Sequence, residues 1–488
     1  MQKKYRYDTL LIILLSILLL LFVCIKSSIT SFTHDESYSY NHYVHQGWMD
    51  IVSYAEPFTN NHILNTLMMK SVELVFGSSE LVLRLHSIIA LLGYLFFCFW
   101  ILKDLPAKIK STCFILLVAN PYLVDFFGLA RGYGLSICFM TGSIYFIMKW
   151  LQTRAFKYLT AFNILASLAC YSNFALINFY LSAFGIVNLI LLLNVKYETV
   201  TTGKKWSYWL KSNAVNTFFM FLTALIIWEP IRKISKQHML DFGGKSGIVP
   251  NTIASVVTSS FYNLHVPANL VLLLSWLVAF TVVLTLIGWV YYLVRFGETA
   301  WTKIRSLIFV NLTLMGIIVL VVTQHYILGN DYFIGRFALF LFPLFILNLI
   351  FCFKILFETK LWYIAIGLPT ILAILFACNF FYNANFSSYL DWEYDKDTKQ
   401  MMVTLEKQHE NIEGNKKIKL GITWLYEPTV NFYRQTLKLS WLEPADREEL
   451  IPQDDYFYST EQKISRLKPK PWHILFLSKT GALLVRND

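Results

Sequence analysis

From Leu10 to about Tyr382 the chain alternates long apolar runs with short polar gaps, and beyond Asn383 that pattern stops. A hydrocarbon core of about 30 Å is crossed by roughly 20 helical residues, and about eleven runs approach that length. They are Thr9–Ile25, Glu80–Leu102, Thr112–Gly128, Tyr133–Leu151, Tyr158–Tyr171, Leu176–Val195, Asn213–Trp228, Ala268–Val294, Leu307–Thr323, Phe333–Phe353 and Trp362–Phe381. The stretch Phe156–Val195 divides into two spans at Ser172-Asn173, residue types that suit a tight turn. Four gaps fall on one side of the membrane: Lys26–Ser79, Asp125–Tyr133, Glu229–Pro267 and Gln324–Tyr332.

The first gap has structure of its own. Thr33-His34-Asp35-Glu36 fits a capping box and predicts a helix to about Gly47. Its aromatic residues, Tyr38, Tyr40, Tyr43 and Trp48, suit a membrane surface. A second helix is predicted over His62–Phe76, stopped by Gly77. Both read as helices lying along the outer leaflet.

After Asn383, Ile418–Trp424, Tyr456–Tyr458, Trp472–Ser478 and Leu483–Arg486 read as strands, and Asp397–Asn411 and Glu427–Leu439 as helices. The expected architecture is an all-α polytopic membrane body over residues 1–382, followed by a small α/β domain over 383–488. That domain shows no Gly-rich phosphate loop.

Composition agrees with the pattern. The chain is 56% hydrophobic and only 15% charged, against roughly a quarter charged in soluble proteins. A net charge of +11 raises the question of nucleic acid. The basic residues instead cluster in alternate gaps: Lys3, Lys4 and Arg6; Lys103, Lys108 and Lys110; Lys149, Arg154 and Lys157; Lys196, Lys204, Lys205 and Lys211; Arg295, Lys303 and Arg305; Lys354 and Lys360. Positive residues stay on the cytoplasmic side, so the N-terminus is expected inside. An odd number of spans then places the C-terminal domain outside. The expected partners are membrane lipids, with no nucleic acid. The first apolar run is long for a signal peptide and lacks an A-x-A-like cleavage site, so it is read as a span. All seven cysteines fall in or beside predicted spans, which argues against a disulfide framework or a C-x-x-C metal site.

Ionisable groups at the membrane edge are functional candidates because each costs about 2.5–3.5 kcal/mol to insert. On the outer side these are Asp35, Glu36, Asp125, Arg131 and Arg336, with His62 and His325 nearby. They come from separate outer segments and are expected to converge on one outward-facing cavity. Two arginines at headgroup level suit a lipid phosphate, which guanidinium grips in bidentate fashion. A carboxylate opposite them suits removal of a proton from an incoming hydroxyl. Together they describe sugar transfer from a lipid phosphate. The phosphate leaves as an anion and needs fixed cations. One carboxylate suffices for a single displacement with inversion, whereas retention by double displacement wants two carboxylates about 5 Å apart.

The order of motifs sharpens this reading. Asp35-Glu36 follows the first span. Asn61-His62-Ile63-Leu64 leads through Phe76-Gly77-Ser78-Ser79-Glu80-Leu81-Val82-Leu83-Arg84-Leu85 into the second. Then come Asn120-Pro121, Ala130-Arg131-Gly132-Tyr133-Gly134-Leu135 and Arg336-Phe337-Ala338-Leu339-Phe340-Leu341-Phe342-Pro343. Over about Leu10–Phe381 this resembles the GT-C membrane glycosyltransferases of the family 39 group, which includes protein O-mannosyltransferases and lipid A aminoarabinose transferases. The resemblance implies a polyprenyl-phosphate monosaccharide donor and a glycan, lipid or protein acceptor on the outer face of a bacterial cytoplasmic membrane. It implies Asp35 as base within a catalytic acidic pair with Glu36, and Arg131, Tyr133 and Arg336 as the donor-phosphate patch. The chain departs from the family pattern at His62-Ile63-Leu64, where His-Pro-Pro is frequent. It departs also at Leu129, where an acid is frequent, and at His86, where proline is frequent. These departures bear on acceptor identity and on any divalent metal, which the resemblance leaves open.

Plainer readings stand beside these. Asp35 and Glu36 also suit a helix N-terminus, and adjacent helical residues point roughly 100° apart. Arg131 and Arg336 also suit headgroup contacts, and Asp125 a structural pair with Arg131. His34, His42, His45 and His62 share a loop but lack metal-ligand spacing, so no metal site is assigned. His325, Tyr326 and Lys236 complete the candidate pocket. Arg232, Lys233, Lys236 and Lys245 fall in an outer loop, against the positive-inside trend, and suit an anionic donor or anionic lipid. Gly243-Gly244 suggests a gating segment. A polyprenyl-linked glycan polymerase or ligase, or a lipid or glycan transporter, is the alternative. A transporter would place charges inside the spans, whereas here they gather at the outer ends.

Overall fold

The computed structural model describes residues 2–197, 202–237, 239, 242–409, 417–448, 450–467 and 472–486. The predicted helix end at Asn411 lies outside them, as do the side chains of Lys3, Lys4, Arg6, Lys196, Lys204 and Lys205.

Helix α1 (Gln2–Ile29) leads into three short helices, α2 (His34–Ser39), α3 (Trp48–Ser53) and α4 (Ile63–Phe76). A π-helical turn, Tyr40–Val44, extends α2 much as the capping box predicts. Gly77 ends α4 with a φ of 85°, a conformation that only glycine adopts freely. The bundle continues with α5 (Glu80–Ile101), α6 (Ala107–Val118), α7 (Pro121–Asp125), α8 (Gly132–Thr153), α9 (Phe156–Ser172), α10 (Ile177–Tyr197) and α11 (Thr202–Lys236). Asn173 makes the turn after α9, its side chain accepting from the Ala175 amide at 3.1 Å. A two-residue strand β1 (Gly243–Gly244) and α12 (Ala254–Phe261) precede α13 (Ala268–Phe296) and α14 (Glu298–Leu328). Strand β2 (Tyr332–Phe333), α15 (Leu341–Phe357) and α16 (Trp362–Asn383) close the membrane body.

Among the described residues eight helices are long and apolar enough to cross a membrane. Three further predicted spans correspond to the shorter helices α6, α9 and α15. Large side chains such as Leu18, Trp276 and Ile371 stand exposed along α1, α13 and α16, as on a surface solvated by lipid rather than water. The chain is a polytopic helical membrane protein.

Gly243-Gly244, expected as a mobile gating segment, forms a short strand. These glycines pair antiparallel with Tyr332 and Phe333, stitching the segment after α11 to the segment after α14. A side chain at 244 would meet the Tyr332 carbonyl, so the close approach requires glycine.

Beyond α16 lie α17 (Thr398–His409), α18 (Glu427–Thr436), α19 (Glu461–Leu467) and a mixed sheet. Its strands are β3 (Leu420–Ile422), β4 (Tyr456–Thr460), β5 (His473–Leu477) and β6 (Ala482–Arg486), in the order β3-β4-β6-β5. This segment shares its core with the segment between α1 and α5. Phe32 stacks on Phe432 at 4.3 Å, and Tyr40, Val44 and Met69 belong to the same buried cluster as Met401 and Tyr458. The Tyr433 hydroxyl receives the Phe32 amide at 2.8 Å, and the Asp395 carboxylate receives the His34 amide at 2.6 Å. Residues 32–34 are therefore clamped immediately before Asp35.

Candidate functional site

Helix α2 starts where the Glu36 carboxylate accepts from both the amide and the hydroxyl of Thr33, each at 2.9 Å. That start fixes the directions of Asp35 and Glu36, and the angle between neighbouring helical residues sends them apart. Glu36 points into the protein and is wholly enclosed. Arg84 grips it in bidentate fashion at 2.8 and 2.7 Å, and the Ala130 amide donates at 2.6 Å. Arg84 also donates to the carbonyls of Ser27, Thr30 and Ser31. Every strong partner in this buried pair is satisfied, which is the condition for such a pair to be tolerated. Glu36 thus stands apart from Asp35 and ties the end of α1 to the turn before α8.

Asp35 points the other way, into a cluster drawn from four parts of the chain. Its Oδ2 lies 3.4 Å from Arg131 Nη2 and 3.2 Å from Arg336 Nη2. The two arginines differ in freedom. Arg131, at the N-terminus of α8, has a side chain only 2% exposed. Its guanidinium also donates to the Asp35 carbonyl, the Ser39 hydroxyl, and the carbonyl and side-chain oxygen of Asn60. Arg336 is 28% exposed, and its guanidinium lies over the Trp392 ring at 5.1 Å. The Nε atoms of both arginines are buried without a hydrogen-bond partner.

The cluster includes a residue that sequence reasoning missed. Asp391, just past α16, places Oδ2 3.6 Å from Arg336 Nη1 and accepts from the Tyr122 hydroxyl at 2.9 Å. The acid-rich run Asp391-Trp392-Glu393-Tyr394-Asp395 directly after the last span was the available signal.

Of the other expected residues, Tyr133 and His62 join the cluster, their rings 5.1 Å apart and Tyr133 beside Arg336. His62 Nδ1 donates to the Ser172 carbonyl at 2.9 Å. The remaining four lie elsewhere. Asp125 is buried against Lys26 at 2.6 Å and bonds the Tyr262 hydroxyl, so its cation is Lys26 rather than Arg131. His325 bonds the Asn330 carbonyl at 2.7 Å and packs on Tyr332. Tyr326 is 79% exposed at the tip of α14, and Lys236 is exposed at the end of α11. Arg232 and Lys233 are partly neutralised by Glu229.

Electrostatics separates the carboxylates. Burial works to raise the Asp35 pKa, but Arg336 and Arg131 outweigh it and hold the carboxyl below its ordinary value. At Asp391 burial wins over Arg336 and Tyr122, and the pKa rises. Burial, with Arg131 adding to it, pushes His62 well below the usual imidazole value, so the ring is neutral. Because Nδ1 faces a carbonyl it carries the hydrogen, leaving Nε2 as an acceptor. Among the described residues no three His, Cys, Asp or Glu side chains gather as metal ligands. Asp35 itself faces two guanidinium groups, which oppose a metal ion at that carboxylate.

The centre therefore offers an ionised carboxylate, one fixed cation and one half-open cation at one end of a helical bundle. Such a set can hold an anionic leaving group and accept a proton.

No family model and no curated protein matches the chain. Solved structures do. The ArnT of Cupriavidus metallidurans bound to undecaprenyl phosphate aligns with a TM-score of 0.51 at 9% identity, covering 98% of both chains. The same protein in the apo state gives 0.48 at 10% identity over the same shares. The Archaeoglobus fulgidus oligosaccharyltransferase in complex with Zn and sulfate gives 0.43 at 10% identity, covering 97% of this chain and 73% of that one. The fold assignment rests on the first, which matches end to end. The chain shares the fold of that structure, a polytopic helical membrane body followed by a small sheet-containing segment.

Proposed function

We propose that the protein is an inverting glycosyltransferase that moves one monosaccharide from a polyprenyl phosphate to an acceptor hydroxyl. The reaction would take place on the outer face of a bacterial cytoplasmic membrane. The observation that carries this reading is the single Asp35 oxygen shared by Arg131 and Arg336 at the outer end of the bundle. Residues 1–382 form the catalytic membrane body, with the N-terminus cytoplasmic, and 383–488 the extracytoplasmic domain.

Arg336, the more open of the two arginines, meets the donor phosphate. Arg131, bound on several sides, keeps Asp35 and the Asn60 loop in place. A phosphate is a second anion for Arg336. As Arg336 turns towards it, Asp35 keeps one guanidinium instead of two and becomes a stronger base. Asp35 then takes the proton of the acceptor hydroxyl while its oxygen attacks the anomeric carbon. The bond from that carbon to the phosphate oxygen breaks, its electron pair stays on the phosphate, and configuration inverts. The leaving group needs no acid because phosphate is already a stable anion. Retention would call for a second ionised carboxylate across the sugar; Glu36 is sealed behind Arg84, and Asp391 shares the Arg336 guanidinium with Asp35 and has its pKa raised by burial.

The test is turnover in proteoliposomes with polyprenyl-phosphate sugars and outer-membrane or cell-wall acceptors. Sugar transfer that Asp35→Asn abolishes supports the reading. Transbilayer movement of the same lipid without transfer, unchanged by Asp35→Asn, supports a transporter instead.

A further inference from the structure

Beside the charged centre lies a cavity of about 380 Å³. It is bounded by the turn after α9, the ends of α11 and α14, and Phe337, the residue after Arg336. His62 stands in its wall and also against Tyr133, so cavity and charged centre share a boundary. The volume lies near the lower end of the range for small-molecule sites, about 300–1,000 Å³. It is too small for a lipid chain of dozens of carbons.

The chemistry of the lining is uniform. No Asp, Glu, Lys or Arg is among the described residues that form it. Its polar groups are amides and hydroxyls, with Asn173, Asn178, Gln324 and Tyr171 among them, set between aromatic rings. Two lining residues carry buried polar atoms with no hydrogen-bond partner: His62 Nε2 and Asn178 Oδ1. Unpaired buried polar atoms cost about 1–3 kcal/mol each and are kept where a ligand answers them. Hydroxyl groups both donate and accept, so a polyol satisfies this mixture of acceptors and donors. A charged substituent would be desolvated here without a counter-ion. An ammonium group would in addition lie near Arg131 and Arg336.

We infer that this cavity receives the sugar ring of the donor and selects an uncharged monosaccharide over one bearing an ammonium or carboxylate group. The inference rests on the proposed transfer reaction and adds the class of sugar to it. Phosphate at Arg336 and ring in the cavity place the anomeric carbon between them, next to Asp35.

The experiment measures binding of farnesyl phosphate and its glycosyl conjugates to the detergent-solubilised full chain by calorimetry. The conjugates carry glucose, galactose, mannose, N-acetylglucosamine, a 4-amino-4-deoxypentose or glucuronic acid, each as both anomers. At least one neutral conjugate is expected to bind about tenfold more tightly than farnesyl phosphate, the worth of one good hydrogen bond or two ordinary ones. The gain should vanish in Asn178→Leu, which removes an unpartnered polar atom and so spares the fold. The charged conjugates should gain nothing. Farnesyl phosphate that binds through Arg336 with no gain from any neutral sugar overturns the cavity assignment and leaves the transfer reaction standing. So does a best fit by the amino sugar or the uronic acid. Failure of farnesyl phosphate itself to bind overturns both.

Discussion

Arg336 reaches Asp35 at 3.2 Å while its other nitrogen lies 3.6 Å from Asp391. One side chain thus joins the first outer loop to the segment that follows the last membrane helix. A phosphate arriving at this arginine would loosen both contacts at once, which couples donor binding to the base and to the C-terminal segment.

Asp35→Asn removes the proposed base and keeps the shape. Turnover should fall by about 10²–10⁴-fold, the usual worth of a general base. Binding of farnesyl phosphate should hold or tighten, because Arg336 loses its competing anion. Rate and calorimetric affinity measured on the same preparation check this, and parallel loss of both would contradict it.

Glu36 makes the opposite prediction. Glu36→Gln leaves the buried Arg84 charge without its partner, a change that costs about 3–5 kcal/mol in buried pairs. The midpoint of thermal unfolding in detergent should fall by many degrees. A stable Glu36→Gln protein that has lost only turnover would return Glu36 to the catalytic pair.

Asp395 governs a pH dependence of stability. Burial raises its carboxyl well above the ordinary range, opposed in part by the His34 amide and the Thr398 hydroxyl. The folded pKa exceeds the unfolded one, so this contribution to stability is full below the unfolded value. It is lost as pH rises through the folded value. The unfolding midpoint should therefore decline as pH climbs across that interval. Asp395→Asn, which resembles the neutral acid and keeps an oxygen for the His34 amide, should flatten the decline. An equal slope in the variant would remove Asp395 as its source.

Gly132 tests the wall between centre and cavity. A methyl group there would overlap the Ser172 carbonyl and come within 2.9 Å of His62 Nδ1. Gly132→Ala should push His62 off Ser172 and raise KM for the lipid-linked sugar at least several-fold. Binding of farnesyl phosphate alone should change little. An unaltered KM would separate His62 from sugar binding.

The sequence carried the local devices well. The Thr33–Glu36 capping box, the Gly77 stop and the Ser172-Asn173 turn each depend on a few neighbouring residues, and each appears where expected. The long apolar runs carried the bundle for the same reason. What it did not carry are pairings made across the fold. Nothing near Arg84 in the chain marks it as the partner of Glu36, and nothing near Lys26 marks it as the partner of Asp125. Asp391 was hidden because the end of the last span looks like a domain boundary, although the chain folds back over the site there. The pairing of Gly243-Gly244 was equally hidden, because the strand that receives them lies in another loop.

Whether Arg336 holds a polyprenyl phosphate is read most directly by native mass spectrometry of the detergent-purified protein, wild type beside Arg336→Ala. A bound polyprenyl phosphate or its sugar-loaded form is expected on the wild type, lost in the variant, with the sugar mass in the neutral class. No carrier on the wild type, even after polyprenyl phosphate is added back, would contradict it.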